Sequence, residues 1–237
     1  MIQRALRHRH FASSSVAAIA ALAAAGLAAP ACAEDVSVSF NVGAASDYVF
    51  RGFSQTDRDP EIYGSVDASA GIAYAGVWVS NVDFNNGTDA EFDLYAGITP
   101  QAGPVSLDIG ILYYGYTDQP KGSHEDYFEG KVAASVPAGP ATLGAAVYYS
   151  PENFGKTGAA VYYEVNAQTT IPGTSFSLSG ALGRQEVKGS GDFNTWNLGV
   201  GYALGDHVGV DVRYWDTDVS GDRLAKSRVV AGIKLTF

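Results

Sequence analysis

The sequence has 237 residues, with 25 Asp and Glu against 15 Lys and Arg and a net charge of −10, a balance that opposes nucleic-acid binding. Aromatic residues make up 12% and glycine occupies 28 positions, which disfavours long helices and favours pleated strands. After residue 33 no run of about 20 apolar residues occurs, so a soluble β protein or a membrane β-barrel remains.

Residues 1–33 have the pattern of a secretory signal peptide. Their positive region contains three arginines, Arg4, Arg7 and Arg9. An apolar run over 16–29 follows, too short to span about 30 Å of hydrocarbon as a helix, and 31–33 has the small residues of a cleavage site. We predict that 34–237 is a single exported domain, which contains no cysteine and therefore no disulfide.

Twelve segments predict β-strands long enough to span a bilayer when tilted. They are 35–45, 60–70, 75–84, 89–100, 105–116, 127–137, 142–150, 159–171, 175–186, 195–204, 208–217 and 227–237. Several alternate between apolar and polar residues, as in the last, where Val229, Ala231 and Ile233 share one face and Arg228 and Lys234 the other. Because successive side chains point to opposite faces, one face suits hydrocarbon and the other suits water.

The predicted connections alternate between two classes. The tight Gly- and Pro-rich turns are 71–74, 101–104, 138–141, 172–174 and 205–207. The polar loops are 46–59, 85–88, 117–126, 151–158, 187–194 and 218–226, of which 85–88 is the shortest. Short turns at one rim and long loops at the other are typical of outer-membrane barrels, and an even strand number places both ends at the short-turn rim. The sequence marks no constriction loop of the kind found in trimeric general porins, and it leaves the oligomeric state open.

We therefore predict an all-β fold, a transmembrane, antiparallel, up-and-down barrel of twelve strands. The alternative is a soluble sandwich or barrel, whose strands also alternate. The membrane barrel is favoured by the uniform strand length, by polar faces rich in Gly, Ser and charged residues that suit a water-filled lumen, and by aromatic residues near strand ends. The aromatic residues predicted to form interfacial girdles are Tyr48, Trp78, Phe84, Tyr113, Tyr149, Tyr163, Trp196, Tyr202 and Tyr214.

The polar faces predict a charged lumen. Its predicted acids are Glu61, Asp67, Asp83, Glu91, Asp93, Asp108, Glu129, Glu164 and Asp211, and its predicted bases are Lys131, Arg213, Arg228 and Lys234. The excess of acids predicts a weak cation preference, because a low-dielectric wall focuses the potential of charges inside it. Alternatively, neighbouring acids and bases neutralise each other across the interior and fill it, since twelve strands lie between filled and open barrels.

The densest polar motif, residues 46–56, follows the first strand and contains Ser46, Asp47, Tyr48, Val49, Phe50, Arg51, Gly52, Phe53, Ser54, Gln55 and Thr56. Arg51 lies among aromatic residues, where cation–π contacts or hydrogen bonds to lumen acids could fix it. The favoured alternative is that Arg51 pins the first hairpin at the long-loop rim. This motif resembles the signature of the TorF family of porin-like proteins. Trp78 with the segment 80–84, and the strand with Glu91, Asp93 and Tyr95, are similar to two further recurrent segments of that family.

The resemblance covers essentially the whole mature chain. It implies an outer-membrane β-barrel of a Gram-negative bacterium with a pore, and it implies no defined substrate. Phe237 resembles the C-terminal aromatic residue that the outer-membrane assembly machinery recognises. The expected partners are therefore that machinery, membrane lipids, lipopolysaccharide and small solutes.

Catalytic and metal sites are weakly indicated. The predicted mature chain has two histidines, His124 in a long loop beside Ser123 and His207 in a tight turn. A Ser–His nucleophile needs a third group and an oxyanion hole, which adjacent loop residues rarely provide, so an outer-membrane lipid hydrolase is the lowest of three hypotheses. The acids Asp216, Asp218 and Asp222 could hold Ca²⁺ weakly, but they lack the twelve-residue loop pattern, and no cofactor or metal is expected.

The sequence therefore predicts a non-enzymatic outer-membrane channel for passive diffusion of small hydrophilic solutes or ions. The second hypothesis is a non-conducting barrel whose long loops bind a partner.

Overall fold

Twelve antiparallel strands form a closed barrel in the computed structural model, which describes residues 36–237. The strands are β1 Ser37–Ala45, β2 Glu61–Ala70, β3 Ala73–Asn81, β4 Ala90–Ile98, β5 Val105–Tyr116, β6 Tyr127–Ala138, β7 Ala141–Ser150, β8 Ala160–Thr170, β9 Phe176–Val187, β10 Gly191–Leu204, β11 Val208–Thr217 and β12 Arg228–Thr236. The predicted all-β, twelve-stranded fold is confirmed. The predicted signal peptide lies outside the described residues.

The barrel closes between its first and last strands. β1 pairs with β12 from Asn41 opposite Thr236 to Ala45 opposite Gly232. The Phe40 and Phe237 main chains extend this pairing, with N–H···O distances of 3.0 and 2.9 Å. Every other barrel strand pairs with its neighbours in sequence. Closure gives each strand two partners and removes the exposed sheet edges that would otherwise recruit other chains.

The only helical segment among residues 36–237 is the short 3₁₀ turn Phe154–Lys156. In that described part of the chain, no helix has both the length and the hydropathy needed to cross a membrane.

The outer face of the barrel is apolar. Its exposed side chains include Val38, Phe40, Val42, Leu94, Ile111, Val132, Val165, Leu182, Leu198 and Ile233. On β9 and β10 the apolar surface ends at Arg184, near the rim that carries the long loops. Arg184 pairs there with Glu186 and Asp192, each at 2.8 Å. Such a belt, bounded by charge, matches the surface that an outer-membrane barrel presents to lipid.

Six of the predicted girdle residues share the outward parity of this belt. These are Tyr113, Tyr149, Tyr163, Trp196, Tyr202 and Tyr214. The prediction is wrong for three others. Tyr48 and Trp78 pack together inside the barrel, with ring centroids 5.3 Å apart, and Phe84 packs on Tyr116 and Phe154. Aromatic content near a strand end identifies a girdle only together with the parity that points the ring outward.

Two connections differ from the predicted pattern. The predicted long loop 187–194 is a tight turn over 188–190, because the β9–β10 ladder continues to Val187 opposite Gly191. Gly189 and Gly191 have φ of 87° and 99°, so the turn uses backbone conformations that glycine adopts without strain. The loop predicted as shortest instead spans 82–89, since Asp83 leaves β3 and donates its main-chain N–H to the Gln55 oxygen at 2.8 Å.

Candidate functional site

The inner face of the barrel carries most of the charged residues singled out by the sequence. The inward parity contains Glu61, Asp67, Glu91, Asp93, Asp108, Glu129, Lys131, Glu164, Asp211, Arg213, Arg228 and Lys234. Glu61, Glu91, Glu129 and Arg228 are buried near the long loops. Asp83 is placed differently, in the exposed loop after β3, so it does not line the lumen.

The loop 46–60, called L1 below, folds into the barrel. It forms a small hairpin in which Val49–Phe50 pairs with Phe53–Ser54. The turn places Arg51 and Gly52 at φ of 48° and 89°. A Cβ at Gly52 would overlap the side chains of Thr195 and Thr217, so glycine is required by both backbone conformation and space.

The base of L1 is held by a buried ion pair. Arg228 of β12 donates to Asp47 at 2.8 Å, and the two side chains are only 4% and 7% exposed. Asp47 also accepts hydrogen bonds from Ser54 at 2.6 Å and from Thr56 at 3.0 Å. The Ser54 main chain donates to the Leu224 oxygen at 3.0 Å. The base is therefore fixed both to β12 and to the last long loop.

The tip of L1 reaches the opposite wall. Arg51 makes a bidentate ion pair with Glu129 of β6, at 2.8 and 2.6 Å, and donates to Gln185 of β9 at 2.9 Å. Tyr114 donates to the same Glu129 carboxylate at 3.2 Å. The Glu129 side chain is 1% exposed and the Arg51 side chain 9%. Paired charges with several hydrogen bonds are the arrangement in which such deep burial is tolerated.

Aromatic rings surround the Arg51 guanidinium. Its Cζ lies 4.3 Å from the Tyr162 ring centroid, 4.6 Å from Phe50 and 5.2 Å from Tyr148, all within cation–π range. Tyr162 lies across Gly183 of the neighbouring strand, where a Cβ would overlap its ring. The glycine therefore leaves room for the ring to lie against the wall.

The flanks of L1 contact the remaining walls. Tyr48 donates to Glu91 of β4 at 2.8 Å, Phe50 packs on Tyr114 of β5, and Phe53 packs on Phe193 of β10. L1 thus contacts side chains from β3 to β12 and fills the long-loop half of the lumen. It therefore narrows the lumen, although the sequence marks no constriction loop. Arg51 lies across the lumen rather than at the rim of the first hairpin, because its acceptors are on β6 and β9.

A cavity of about 450 Å³ lies between L1, which contributes Asp47, Tyr48 and Val49, and residues of β1, β2, β3, β11 and β12. Tyr63 and Trp78 contribute aromatic surface, and Asp211, Arg213 and Lys234 contribute charge. This side of the lumen therefore retains space that L1 does not fill.

Some lumen charges are paired and others are not. Lys131 pairs with Asp108, and Arg213 pairs with Asp211 at 3.1 Å. Glu164 accepts from Asn166 at 2.9 Å, and Asp67 accepts from Ser65 at 2.8 Å, so neutral groups surround both carboxylates. Neutralisation between adjacent strands occurs at Lys131 and Asp108, whereas Arg213 pairs with Asp211 on its own strand and Arg228 pairs with Asp47 of L1. A surplus of acids remains on the inner face.

The candidate catalytic and calcium-binding groups are not brought together. Among the described residues, Ser123 Oγ is buried without a hydrogen-bond partner, and His207 Nδ1 lies 2.8 Å from the Thr236 oxygen. Asp218 accepts from the main chain and side chain of Asn194, which hold the pKa of Asp218 below its usual value. In the same part of the chain, no group of three or more His, Cys, Asp or Glu could hold a metal ion.

The sequence reasoning missed several residues that L1 contacts, among them Gln185, Tyr148 and Tyr162. Tyr148 and Tyr162 lie on inward positions of their strands. Two tyrosines on the polar parity of adjacent strands are the signal that could have indicated a ring-lined pocket.

Comparisons with known proteins support the fold. Residues 28–235 match the model of a family described as "Bacterial protein of unknown function (Gcw_chp)". Among solved structures, a KdgM porin aligns with a TM-score of 0.59 at 10% identity, covering 84% of this chain and 99% of that one. At this identity the likeness shows the fold alone.

Two other solved structures align less well. Outer membrane phospholipase A from Escherichia coli has a TM-score of 0.48 at 12% identity and covers 84% of this chain and 95% of that one. A loop L8 deletion mutant of OmpT, an outer membrane protein of Vibrio cholerae, has a TM-score of 0.48 at 12% identity and covers 86% and 99%. No curated protein matches the chain in sequence.

Proposed function

Since the chain belongs to the Gcw_chp family of bacterial proteins of unknown function, we propose a function from its own geometry: an outer-membrane, porin-like channel for small hydrophilic solutes or ions. The observation that carries this proposal is the pairing of two surfaces, an exposed apolar belt outside and a charged face inside. In a transmembrane barrel the first contacts lipid and the second conducts.

Further support comes from the sequence. The signal-peptide pattern of 1–33 provides export, and Phe237 would serve as the signal read by the assembly machinery. The resemblance to the TorF porin-like proteins extends through L1. Membrane lipids and lipopolysaccharide are the proposed neighbours of the belt, and the barrel is proposed to have no catalytic activity.

A charge placed on the belt tests the membrane location. Leu198 is 64% exposed on the outward face of β10, between Trp196 and Tyr202. We expect Leu198→Arg to lower the free energy of unfolding in lipid by about 2–4 kcal/mol, because arginine at mid-bilayer loses its hydration. Urea unfolding in liposomes, followed by gel mobility of unboiled samples, measures the change. Ser190→Arg, in the exposed β9–β10 turn, is the control expected to leave stability unchanged; equal effects of the two would contradict the membrane belt.

Planar-bilayer recording tests conduction and selectivity together. We expect small conductance steps from the purified protein. We also expect its reversal potential in a KCl gradient to indicate selectivity for K⁺, because the carboxylates of Asp67 and Glu164 contribute negative charge to the lumen. Glu164→Gln should shift the reversal potential toward zero, whereas Asp192→Asn on the outer face should not. Selectivity for Cl⁻ would overturn the cation preference, and a membrane-inserted barrel with no current before and after removal of L1 would overturn the channel.

The second candidate function is a non-conducting barrel that presents its long loops to a partner. The filling of the long-loop half by L1 favours it, as does a surface pocket of about 350 Å³ lined by residues such as His124, Asp126 and Lys156. The hydrolase hypothesis has less support, because a Ser–His nucleophile requires a hydrogen bond that Ser123 does not make in the described residues.

A further inference from the structure

The pocket that holds Arg51 is built by the barrel wall. Its carboxylate is Glu129 of β6, its amide oxygen is Gln185 of β9, and its rings are Tyr148 of β7 and Tyr162 of β8. The cation in it comes from L1, a loop between two strands on the opposite side of the barrel. The pocket and the arginine that occupies it therefore come from parts of the chain that are far apart in sequence.

The chemistry of the pocket selects a guanidinium group. Two carboxylate oxygens at 2.8 and 2.6 Å and an amide oxygen at 2.9 Å match the planar fork of N–H donors that a guanidinium presents. Two wall tyrosines face its π surface. An ammonium ion offers neither the fork nor the planar face, so it would fill the pocket less well.

Burial makes the pocket depend on an occupant. With L1 in place the Glu129 side chain is 1% exposed and Arg51 is its bidentate ionic partner, so loss of Arg51 leaves the carboxylate without its counter-ion. Withdrawal of the L1 tip is therefore disfavoured unless another cation replaces Arg51. The base of L1 is held separately by Asp47 and Arg228, so the tip can leave without loss of the base contacts.

We propose that the pocket formed by Glu129, Gln185, Tyr148 and Tyr162 is a binding site for guanidinium-bearing solutes, and that Arg51 is its intramolecular occupant. Such a solute replaces Arg51, and the released tip of L1 opens the long-loop half of the lumen. The pocket itself stands on the contacts above, whereas the opening rests on the proposed channel function.

Calorimetric titration of the detergent-solubilised protein tests the pocket with methylguanidinium as the probe. Arg51→Ala vacates the pocket, and we expect it to bind methylguanidinium at least about tenfold tighter than methylammonium and tighter than the wild type does. Adding Glu129→Gln to this variant should abolish the binding. Arg184→Ala, which removes an exposed arginine on the outer face, is the matched control and should behave as the wild type. A folded Arg51→Ala barrel that binds neither cation, or binds both equally, would overturn the proposal.

Conductance of the wild type provides a readout that does not depend on the variant. Methylguanidinium should raise the fraction of time that the channel is open, and methylammonium at the same concentration should not; equal responses to the two cations would overturn the opening step.

If the wild type conducts and Arg51→Ala fails to bind, the pocket proposal fails and the channel stands. If Arg51→Ala binds but neither the wild type nor the barrel without L1 conducts, the channel fails and the pocket stands. If Arg51→Ala does not fold, Arg51→Lys is titrated instead, and it should bind methylguanidinium more tightly than the wild type; equal binding would overturn the pocket.

Discussion

Replacing residues 49–54 of L1 with Gly-Gly is expected to raise the single-channel conductance several-fold. The replaced residues include Phe50, Arg51 and Phe53, whose contacts fill the long-loop half of the lumen. The two ends of the deletion already lie together, because the Gln55 main chain donates to the Tyr48 oxygen at 2.7 Å. The strands and the Asp47–Arg228 pair remain, so the barrel should still close. Planar-bilayer recording measures the change.

A matched deletion provides the control for this variant. Residues 154–157 of another long loop can be replaced with Gly-Gly, since Asn153 and Gly158 are joined by a main-chain hydrogen bond of 2.9 Å. Phe154 of that loop packs on Phe84 and Tyr116, in the cluster that Phe50 also borders, but the loop makes none of the Arg51 contacts. Its shortening should therefore leave the conductance near the wild-type value. Heat-modifiable gel mobility verifies that both variants fold. A folded L1 variant with unchanged conductance would show that L1 does not limit the passage.

Removal of the Asp47 carboxylate is expected to cause the largest loss of stability, about 3–5 kcal/mol for Asp47→Ala. Its partner Arg228 is 4% exposed, so the variant leaves a buried cation without its counter-ion. The hydrogen bonds from Ser54 and Thr56 lose their acceptor as well. Urea unfolding followed by tryptophan fluorescence measures the loss, which should appear together with a higher conductance because the base of L1 is released.

An exposed ion pair gives the comparison for Asp47→Ala. Asp192 pairs with Arg184 at 2.8 Å, but both side chains are more than two-fifths exposed, at 45% and 43%. Asp192→Ala should therefore change stability by less than about 1 kcal/mol, since water screens such pairs. Combining Asp47→Ala with Arg228→Met should recover part of the loss, because the uncompensated charge is gone. Similar small effects of Asp47→Ala and Asp192→Ala would show that the base of L1 is not held by this pair.

The sequence predicted the strands because their pattern is local. In β5 the outward Leu107, Ile109 and Ile111 follow one another at every second position, and the strand occurs at the predicted 105–116. The same holds for β11 at 208–217. One register of each strand places its apolar side chains on a single face, so alternation alone decides both the strand and its orientation. The predicted strand ends were wrong where polar residues continue the hydrogen-bonded strand pairing, as at Glu186 opposite Asp192.

The position of L1 had no such local signal. Arg51 is separated from Glu129 by 78 residues and from Gln185 by 134, and no periodicity links them. The polar motif of L1 identified an unusual loop, yet a rim position and a lumen position require the same residue types. Only the closure of the barrel brings β6 to β9 within reach of a loop that starts after β1.

The sequence by itself thus determined the strand number, the direction of each face and the charge of the inner surface, because these follow from a two-residue period and from composition. The tertiary structure decided which charges are paired, where the tip of L1 lies and how much of the lumen stays open. Those features depend on contacts between strands that are distant in the chain, and burial makes each of these contacts specific. The buried carboxylate of Glu129 admits a guanidinium with matching geometry, and the fold supplies it from Arg51.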